Sequence, residues 1–269
     1  MQTSDMCKRC IIAAIVIATI IGCSNIPTSR IGGMETDAIT IDTTACLTND
    51  ASPKCHVYMK VTYVKGDNSA KINQTIAEFG IFPPDYANPA TNGSIESRTR
   101  NFAKSYLECY KKDLLPLFKA APEQATLYER DLRISTNIKS ERNGILTYTT
   151  LLREISGDGS AVKQTKATNI KLSTASKITT DNAFMHGSEA FIKRLLCKKL
   201  CKKFNAKDMS ALKGKGILTN EDIYIPDNFI IGHRHITFIF NSDEIAPHDF
   251  GEIHITINDE ELGKLLKIK

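Results

Sequence analysis

The side chains with the greatest potential for chemistry lie near the C-terminus. His233 and His235 are two residues apart in a strand-like segment, so their side chains share one face. Glu244, His248 and His254 follow shortly afterwards. These residues could in principle bind a metal or transfer protons, but their spacing matches no metal signature. We favour surface or hydrogen-bonded histidines, and we expect no metal site and no catalytic residue.

Other chemistry is excluded by missing motifs and by composition. The chain contains no GxxxxGK[ST], GxGxxG, GxSxG or HExxH, so a nucleotide loop or helical zinc-protease site has no support. Its 35 Lys+Arg and 30 Asp+Glu give a formal charge of +5, which is too small and too evenly spread for a nucleic-acid binder. With 42% hydrophobic residues the composition is that of a globular protein. We expect no cofactor and no nucleic-acid partner.

Cys23 is the residue whose neighbours specify a chemical role. Lys8 and Arg9 precede an uncharged run over residues 11–21. A membrane-spanning helix needs about 20 apolar residues, so this run is too short to span a membrane. Such a run is typical of a cleavable signal peptide. It ends in Ile-Ile-Gly-Cys, which resembles a bacterial lipobox in which the Cys23 thiol accepts a diacylglyceryl group. The alternative is an ordinary signal peptide with an accidental cysteine.

The lipobox interpretation places the protein in the cell envelope. Residues 1–22 would be the signal peptide, and residues 23–35 a polar tether to the lipid-bearing Cys23. Each buried methylene contributes about 0.8 kcal/mol, so two or three acyl chains anchor a protein to a membrane. Ser24, rather than Asp, follows the cysteine. By resemblance to Gram-negative lipoproteins, this predicts the outer membrane.

Two pairs of cysteines lie close together in the sequence. Cys46 and Cys55 flank a loop rich in turn residues, and an exported compartment permits a disulfide between them. Two free buried thiols are the equal alternative. Cys197 and Cys201 are four residues apart in a basic helical stretch. We expect no strain-free bridge there, and CxxxC alone is a poor zinc signature.

The pattern of elements predicts an α+β fold with antiparallel sheets, helices packed on one face, and two subdomains, at 36–175 and 176–269. In the first subdomain we expect strands at 36–44, 56–64, 128–140, 145–155 and 162–172, and helices at 69–79 and from Ser94 to about Pro116. Asn143-Gly144 marks a hairpin.

In the second subdomain, residues 179–204 read as an amphipathic helix whose basic face is either solvated or a surface for anionic lipid or glycan. Residues 205–220 read as a mobile loop. A hairpin follows over 228–231 and 235–240, then a strand at 252–257. Asn258 and Glu261 form a capping box at the start of the last helix.

The C-terminal segment from Asp227 to Leu262 resembles the C-terminal domain of the RsiV family. It matches that family in its two strands, the segment Glu244-Ile245-Ala246-Pro247 with Gly251, a further strand and a short helix. Residues 55–173 resemble a PdaC-type domain in the order of their elements. The family's Gly-Gly-x-His segment is replaced by residues 156–161, which lack the histidine, so no role of that histidine carries over.

The resemblance implies a recognition module rather than an enzyme. Related exported proteins include an anti-sigma factor that binds lysozyme, and a peptidoglycan deacetylase whose catalytic domain is separate and has no counterpart here. We therefore expect a lipid-anchored protein that binds a lysozyme-like protein or a cell-wall glycan. Asp243, Glu244, Pro247 and His248 are the expected ligand contacts, unless this turn merely shapes the fold. The alternatives are a cell-wall glycan or peptide hydrolase, a deacetylase-associated protein, or a structural assembly subunit.

Overall fold

The computed structural model describes residues 30–31, 34–50, 52–66, 69–82, 93–140, 142–219 and 222–268. The signal peptide and Cys23 lie outside these residues, so lipidation stays a prediction. Within the described ranges, no helix has the length and apolar character that crossing a membrane requires.

A seven-stranded sheet forms the larger part of the molecule. Its strands lie side by side in chain order: β1 Arg30–Ile31, β2 Met34–Cys46, β3 Lys54–Lys65, β4 Arg130–Lys139, β5 Ile145–Ser156, β6 Ala161–Lys171 and β7 Ser176–Ile178. Neighbouring strands are antiparallel except β3 and β4, which are parallel. A parallel pair needs a long crossover connection, and the helices between β3 and β4 provide it. Arg30 and Ile31, at the end of the predicted tether, pair with Glu35 and Met34.

Helices cover one face of this sheet. α1 (Ser69–Thr75) continues as a π-helical segment, Ile76–Gly80, and α2 spans Ile95–Ala120. Alternate residues of β3 are buried beneath them, which is the period of a strand with one apolar face. The sequence predicted that Pro116 ends or kinks α2, whereas the helix continues to Ala120. A 3₁₀ segment, Pro122–Tyr128, then leads into β4.

Two turns of the large sheet depend on glycine. The predicted hairpin at Asn143-Gly144 is confirmed, because β4 and β5 pair on either side of it and Gly144 has a φ of 73°. Gly157 lies in the turn between β5 and β6. A Cβ atom there would lie 1.6 Å from the carbonyl oxygen of Thr126, so only glycine allows this turn to pack against the 3₁₀ segment.

A three-stranded antiparallel sheet forms the second part of the molecule. It has the order β10-β9-β8, with β8 at Phe229–Ile231, β9 at His235–Phe240 and β10 at Ile253–Asn258. The helices of this part are α3 Thr180–Ala183, α4 Glu189–Lys203, α5 Met209–Gly214 and α6 Asp259–Leu262. Short 3₁₀ segments lie at His248–Phe250 and Gly263–Leu265. The predicted hairpin and the Asn258–Glu261 capping box are confirmed.

Two expectations for this part were wrong. The stretch 179–204 is two helices rather than one, because α3 ends at Ala183 and α4 begins at Glu189. The expected mobile loop contains α5, whose first turn is capped by the Asp208 side chain. Leu212, Ile217 and Leu218 anchor this lysine-rich segment, since all three are buried in the second core.

Each sheet has its own hydrophobic core, and the α+β class is confirmed. The first core lies between the large sheet and α1 and α2. The second lies between the small sheet and α4. β7 pairs with β6 in the large sheet, while its last residue, Ile178, packs in the second core. The transition between the two parts therefore falls at β7.

Candidate functional site

The two parts meet along the free edge of β6. β7 pairs only with Asn169–Lys171, so the first part of β6 pairs with β5 on one side and with no named strand on the other. Side-chain amides take the place of that strand. The Asn228 side chain accepts from the backbone N–H of Ala167 at 2.8 Å and donates to the carbonyl of Thr165 at 2.7 Å. Asn241 Oδ1 accepts from the N–H of Thr165 at 2.8 Å. The side chains of Asn228 and Asn241 thus bond to the edge of β6 as the backbone of a neighbouring strand would.

A fully buried amide, that of Asn169, crosses the same seam. Its Nδ2 donates to the carbonyl of Phe229 at 2.7 Å. Its Oδ1 accepts from the Thr147 hydroxyl at 2.8 Å and from the backbone N–H of Ile231 at 3.3 Å. Buried polar groups are tolerated when they are hydrogen-bonded in this way. Asn169 therefore fixes β8 against β5 and β6.

A buried cation, Arg142, closes one end of the seam. Its Nη2 donates to both carboxylate oxygens of Asp259, at 2.9 and 2.8 Å. It also donates to the carbonyls of Gly232 and Ile268, at 3.1 and 3.2 Å. The side chain is only 5% exposed. Each of the three guanidinium nitrogens therefore donates to an acceptor. A buried arginine is best tolerated when its N–H groups are hydrogen-bonded in this way.

Beside this seam lies a cleft of about 460 Å³. One wall is the helix-covered side of β5 and β6, formed by Thr150, Leu152, Gln164, Lys166 and Thr168. The other wall is the segment Tyr224–Pro226, with Asn241 and Glu244 at one end. Clefts of this size between two structural units are common binding sites for small molecules. We take this seam cleft as the candidate functional site.

Lys166 supplies a positive charge inside the seam cleft. It is half-buried, and its ammonium donates to the carbonyl of Phe82 at 2.7 Å. The neighbouring hydroxyls of Thr150 and Thr168 donate to the carbonyls of Gly80 and Phe79 in the same way. Burial, with a smaller contribution from Lys177, lowers the pKa of the Lys166 amine to about 8. Desolvation disfavours the charged form of a lysine, and a second cation adds to the effect.

The carboxylates of the seam cleft are held in structural contacts. Glu244 accepts hydrogen bonds from the Tyr224 hydroxyl and from the backbone N–H of Asn241, the latter at 2.7 Å. Asp227 accepts from the N–H and hydroxyl of Thr180, both at 3.1 Å, and its other oxygen lies 3.8 Å from Lys177 Nζ. These bonds fix the walls of the cleft, so neither carboxylate is placed as a free acid or base.

The loop predicted to contact a ligand is placed only in part at the seam cleft. Of its predicted residues, Glu244 lines the cleft. Asp243 has a φ of 66°, and its Oδ2 lies 2.8 Å from His248 Nδ1. This hydrogen bond and the negative charge of Asp243 raise the pKa of His248. Pro247 packs near Gly216, so the loop also shapes the fold.

The remaining histidines do not assemble a site. His235 and His254 share one face of the small sheet, because Ile239 lies opposite His254 in the β9–β10 register. His235 and Ile239 are four residues apart along β9, which separates the two histidines by about 13 Å. Across the described part of the chain, no three His, Cys, Asp or Glu residues are grouped so that they could hold a metal ion. The predicted histidine and carboxylate cluster is therefore dispersed.

No disulfide joins Cys46 and Cys55 in the structure. The β2–β3 register pairs Cys46 with Lys54 and Cys55 with Ala45. Their side chains therefore point to opposite faces of the sheet, which does not suit a disulfide. Burial raises the pKa of the Cys55 thiol to about 12. No disulfide joins Cys197 and Cys201 in α4 either.

Sequence reasoning missed Lys166, although a signal was present. β6 is a strand, so Lys166 shares a face with Thr168 and Ile170, and Ile170 is fully buried. A lysine on the covered side of a strand is unusual unless its charge has a use. The free edge of β6 could not be read from the sequence, because it depends on where β7 stops pairing.

Comparison with known proteins identifies the second part of the chain. Residues 178–260 match the family described as a protein of unknown function, DUF3298, so the chain contains a DUF3298 domain. No curated protein sequence matches the chain.

Two solved structures share the fold. A DUF3298 family member from Bacteroides fragilis NCTC 9343 has a TM-score of 0.74 and 22% identity, over 88% of this chain and 95% of that one. A DUF3298 family protein from Pseudomonas aeruginosa PAO1 has a TM-score of 0.59 and 10% identity, over 87% and 94%. At these identities the similarity establishes the fold alone.

Proposed function

We propose that this protein is a lipid-anchored component of the cell envelope that recognises a ligand at the seam cleft without transforming it. The observation that carries this proposal is the construction of the cleft. Its carboxylates are held by Tyr224, Asn241 and Thr180, whereas Lys166 lines the cavity without a carboxylate partner among the described residues. A rigid wall with one charged group suits binding, because pre-organised polar groups fix the orientation of a ligand.

The ligand class that we propose is a cell-wall glycan fragment or a lysozyme-like protein. This choice rests on the resemblance to PdaC-type and RsiV-like domains, and the order of the helices and strands supports that resemblance. In the first part β2 and β3 are followed by two helices and then by β4 to β6, the order expected of a PdaC-type domain. The second part has the strands, turn and capped helix expected of an RsiV-like domain.

A binding experiment with detergent-solubilised full-length protein tests this function. Insoluble peptidoglycan and immobilised lysozyme are the two probes, and retention on one of them is the expected result. Glu244→Gln serves as a cleft variant because it weakens the support of Tyr224 without changing the shape of the side chain. Glu108→Gln, on the exposed surface of α2, is the matched control. If neither probe retains folded protein, these two ligand classes are wrong.

Lipid anchoring is tested separately at Cys23. A thiol is a far better nucleophile than a hydroxyl near neutral pH, so Cys23→Ser should block transfer of diacylglycerol. The precursor should then stay uncleaved, run larger on a gel and take up no labelled palmitate. Palmitate incorporation by the variant, or release of a mature-sized soluble protein, would show that the lipobox interpretation is wrong.

A further inference from the structure

We propose that the seam cleft binds a carboxylate group of an acidic cell-wall fragment, with the ammonium of Lys166 as its counter-ion. This inference rests on the proposed recognition function and names the chemical group that is recognised.

The first argument is the unused bonding capacity of Lys166. An ammonium has three N–H donors, and the hydrogen bond of Lys166 goes to the carbonyl of Phe82. Among the described residues, no carboxylate forms an ion pair with this amine. A half-buried charge is normally paired. Within the described part of the chain these donors have no further acceptor, so they are available to a negatively charged group of a bound ligand.

The second argument is the charge around Lys166. The titratable groups that share the cleft are Lys177 on β7, and Tyr224, Asp227 and Glu244 on the opposite wall. Of these, only Lys177 contributes to the lowered pKa of Lys166, and it acts in the unfavourable direction. Asp227 lies beside Lys177 instead, and Glu244 is hydrogen-bonded to Tyr224 and to the backbone of Asn241, so neither carboxylate pairs with Lys166. A bound anion would do so, and its binding would favour the protonated form of Lys166.

The third argument favours a carboxylate over a phosphate as the bound group. Phosphate sites usually combine an arginine fork, a helix N-terminus or several backbone N–H groups. Here the charged donor is a single ammonium, and its neighbour along β6 on the same wall is the neutral amide of Gln164. One ammonium and one amide match the two oxygens of a planar carboxylate. The apolar surfaces of Leu152, Ile225 and Pro226 suit the carbon skeleton that carries it.

Two parts of a cell-wall fragment could supply the carboxylate: the lactyl group of its acidic sugar, or the end of its peptide. Calorimetric titration of the full-length protein in detergent distinguishes them with three probes. N-acetylmuramic acid carries the sugar carboxylate, acetyl-D-alanyl-D-alanine carries the peptide carboxylate, and a chitin oligosaccharide carries none. We expect one of the two acids to bind, and its amide derivative and the uncharged sugar to bind at least tenfold more weakly.

Two variants of β6 make the test specific. Lys166→Gln removes the charge and should weaken binding of the acid at least tenfold. Lys171→Gln removes an exposed charge from the same strand and should leave binding within twofold. If Lys166→Gln does not fold, amine labelling of the unmodified protein replaces it. The bound acid should then protect Lys166 from the reagent and leave Lys171 reactive.

The outcomes separate this inference from the proposed function. Equal binding of an acid by Lys166→Gln and by the unmodified protein, or equal labelling of Lys166 with and without the acid, would overturn the inference. So would binding of the uncharged oligosaccharide as tightly as the acids, although the recognition function would survive. If peptidoglycan, lysozyme and all three small probes fail to bind folded protein, the recognition function fails as well.

Discussion

Two cations at the seam, Arg142 and Lys166, are held in opposite ways. Arg142 is almost completely buried, and its guanidinium is used by Asp259 and two backbone carbonyls. Lys166 is half-buried, makes its hydrogen bond to one carbonyl and lines the cleft. Both charges are desolvated, but among the described residues a carboxylate compensates Arg142 and none compensates Lys166.

This difference assigns different roles to the two ends of the seam. The contacts of Arg142 join the β4–β5 turn to the start of α6 and to the backbone of Ile268. That end of the seam holds the two parts together. At the Lys166 end, the seam cleft lies between the two parts. Variants at the first end should therefore change stability, and variants at the second should change binding and pH dependence.

The largest loss of stability is expected at the ion pair of Arg142 and Asp259. Arg142→Ala leaves Asp259 without its guanidinium and two carbonyls without donors, and breaking a buried pair in this way costs about 3 kcal/mol or more. Urea unfolding measures the loss. Arg133→Ala is the matched control, because Arg133 also makes two hydrogen bonds to an aspartate, Asp131, but is largely exposed. Exposed pairs contribute less than about 1 kcal/mol. Equal losses in the two variants would contradict the structural role of Arg142.

The second-largest loss of stability is expected at Asn169, which lies between the two ends of the seam. Asn169→Ala removes an amide that bonds to Phe229, Thr147 and Ile231, and leaves buried partners unsatisfied. Such losses cost about 2 kcal/mol. Asn137→Ala, on the exposed side of β4, should change the free energy of unfolding by less than about 0.5 kcal/mol. Hydrogen exchange of the β8 amides should also accelerate in Asn169→Ala alone, and unchanged exchange there would show that β8 is held by other contacts.

The third effect is a pH dependence of stability at Lys166. The pKa of its amine is about 8 in the folded protein and about 10.4 in an unfolded chain. Between these values the unfolded state binds more protons, so stability rises with pH. Relative to Lys166→Met, the unmodified protein should therefore gain at most about 2 kcal/mol from pH 8 to pH 10, and less than this because the side chain is partly exposed. The same comparison with Lys171→Met should be flat, and a flat result for Lys166 would show that its amine is not desolvated.

The sequence predicted local elements better than it predicted the site. The hairpin at Gly144 and the capping box at Asn258 depend on neighbouring residues, and both are confirmed. α5 was missed because the lysines and glycines in and around it give the segment with the buried Leu212 a composition typical of loops. Lys166 and Glu244 line the same cleft although they are far apart in the sequence. No local sequence pattern predicts this arrangement, because it depends on how the two sheets are joined.

The smallest effect is expected at the exposed pair of Asp243 and His248. The hydrogen bond from His248 Nδ1 to Asp243, and then the charge of Asp243, raise the pKa of the imidazole. Asp243→Asn should lower that pKa, which an NMR titration of the His248 ring measures directly. Asparagine tolerates the positive φ of this position, so the backbone should not change. A group whose folded pKa is raised adds stability at low pH and loses it as the pH rises through that pKa. The urea midpoint of the unmodified protein should therefore exceed that of Asp243→Asn slightly at pH 5 and equal it at pH 8. The reverse order, or an unchanged His248 titration, would show that the pair is not formed in solution.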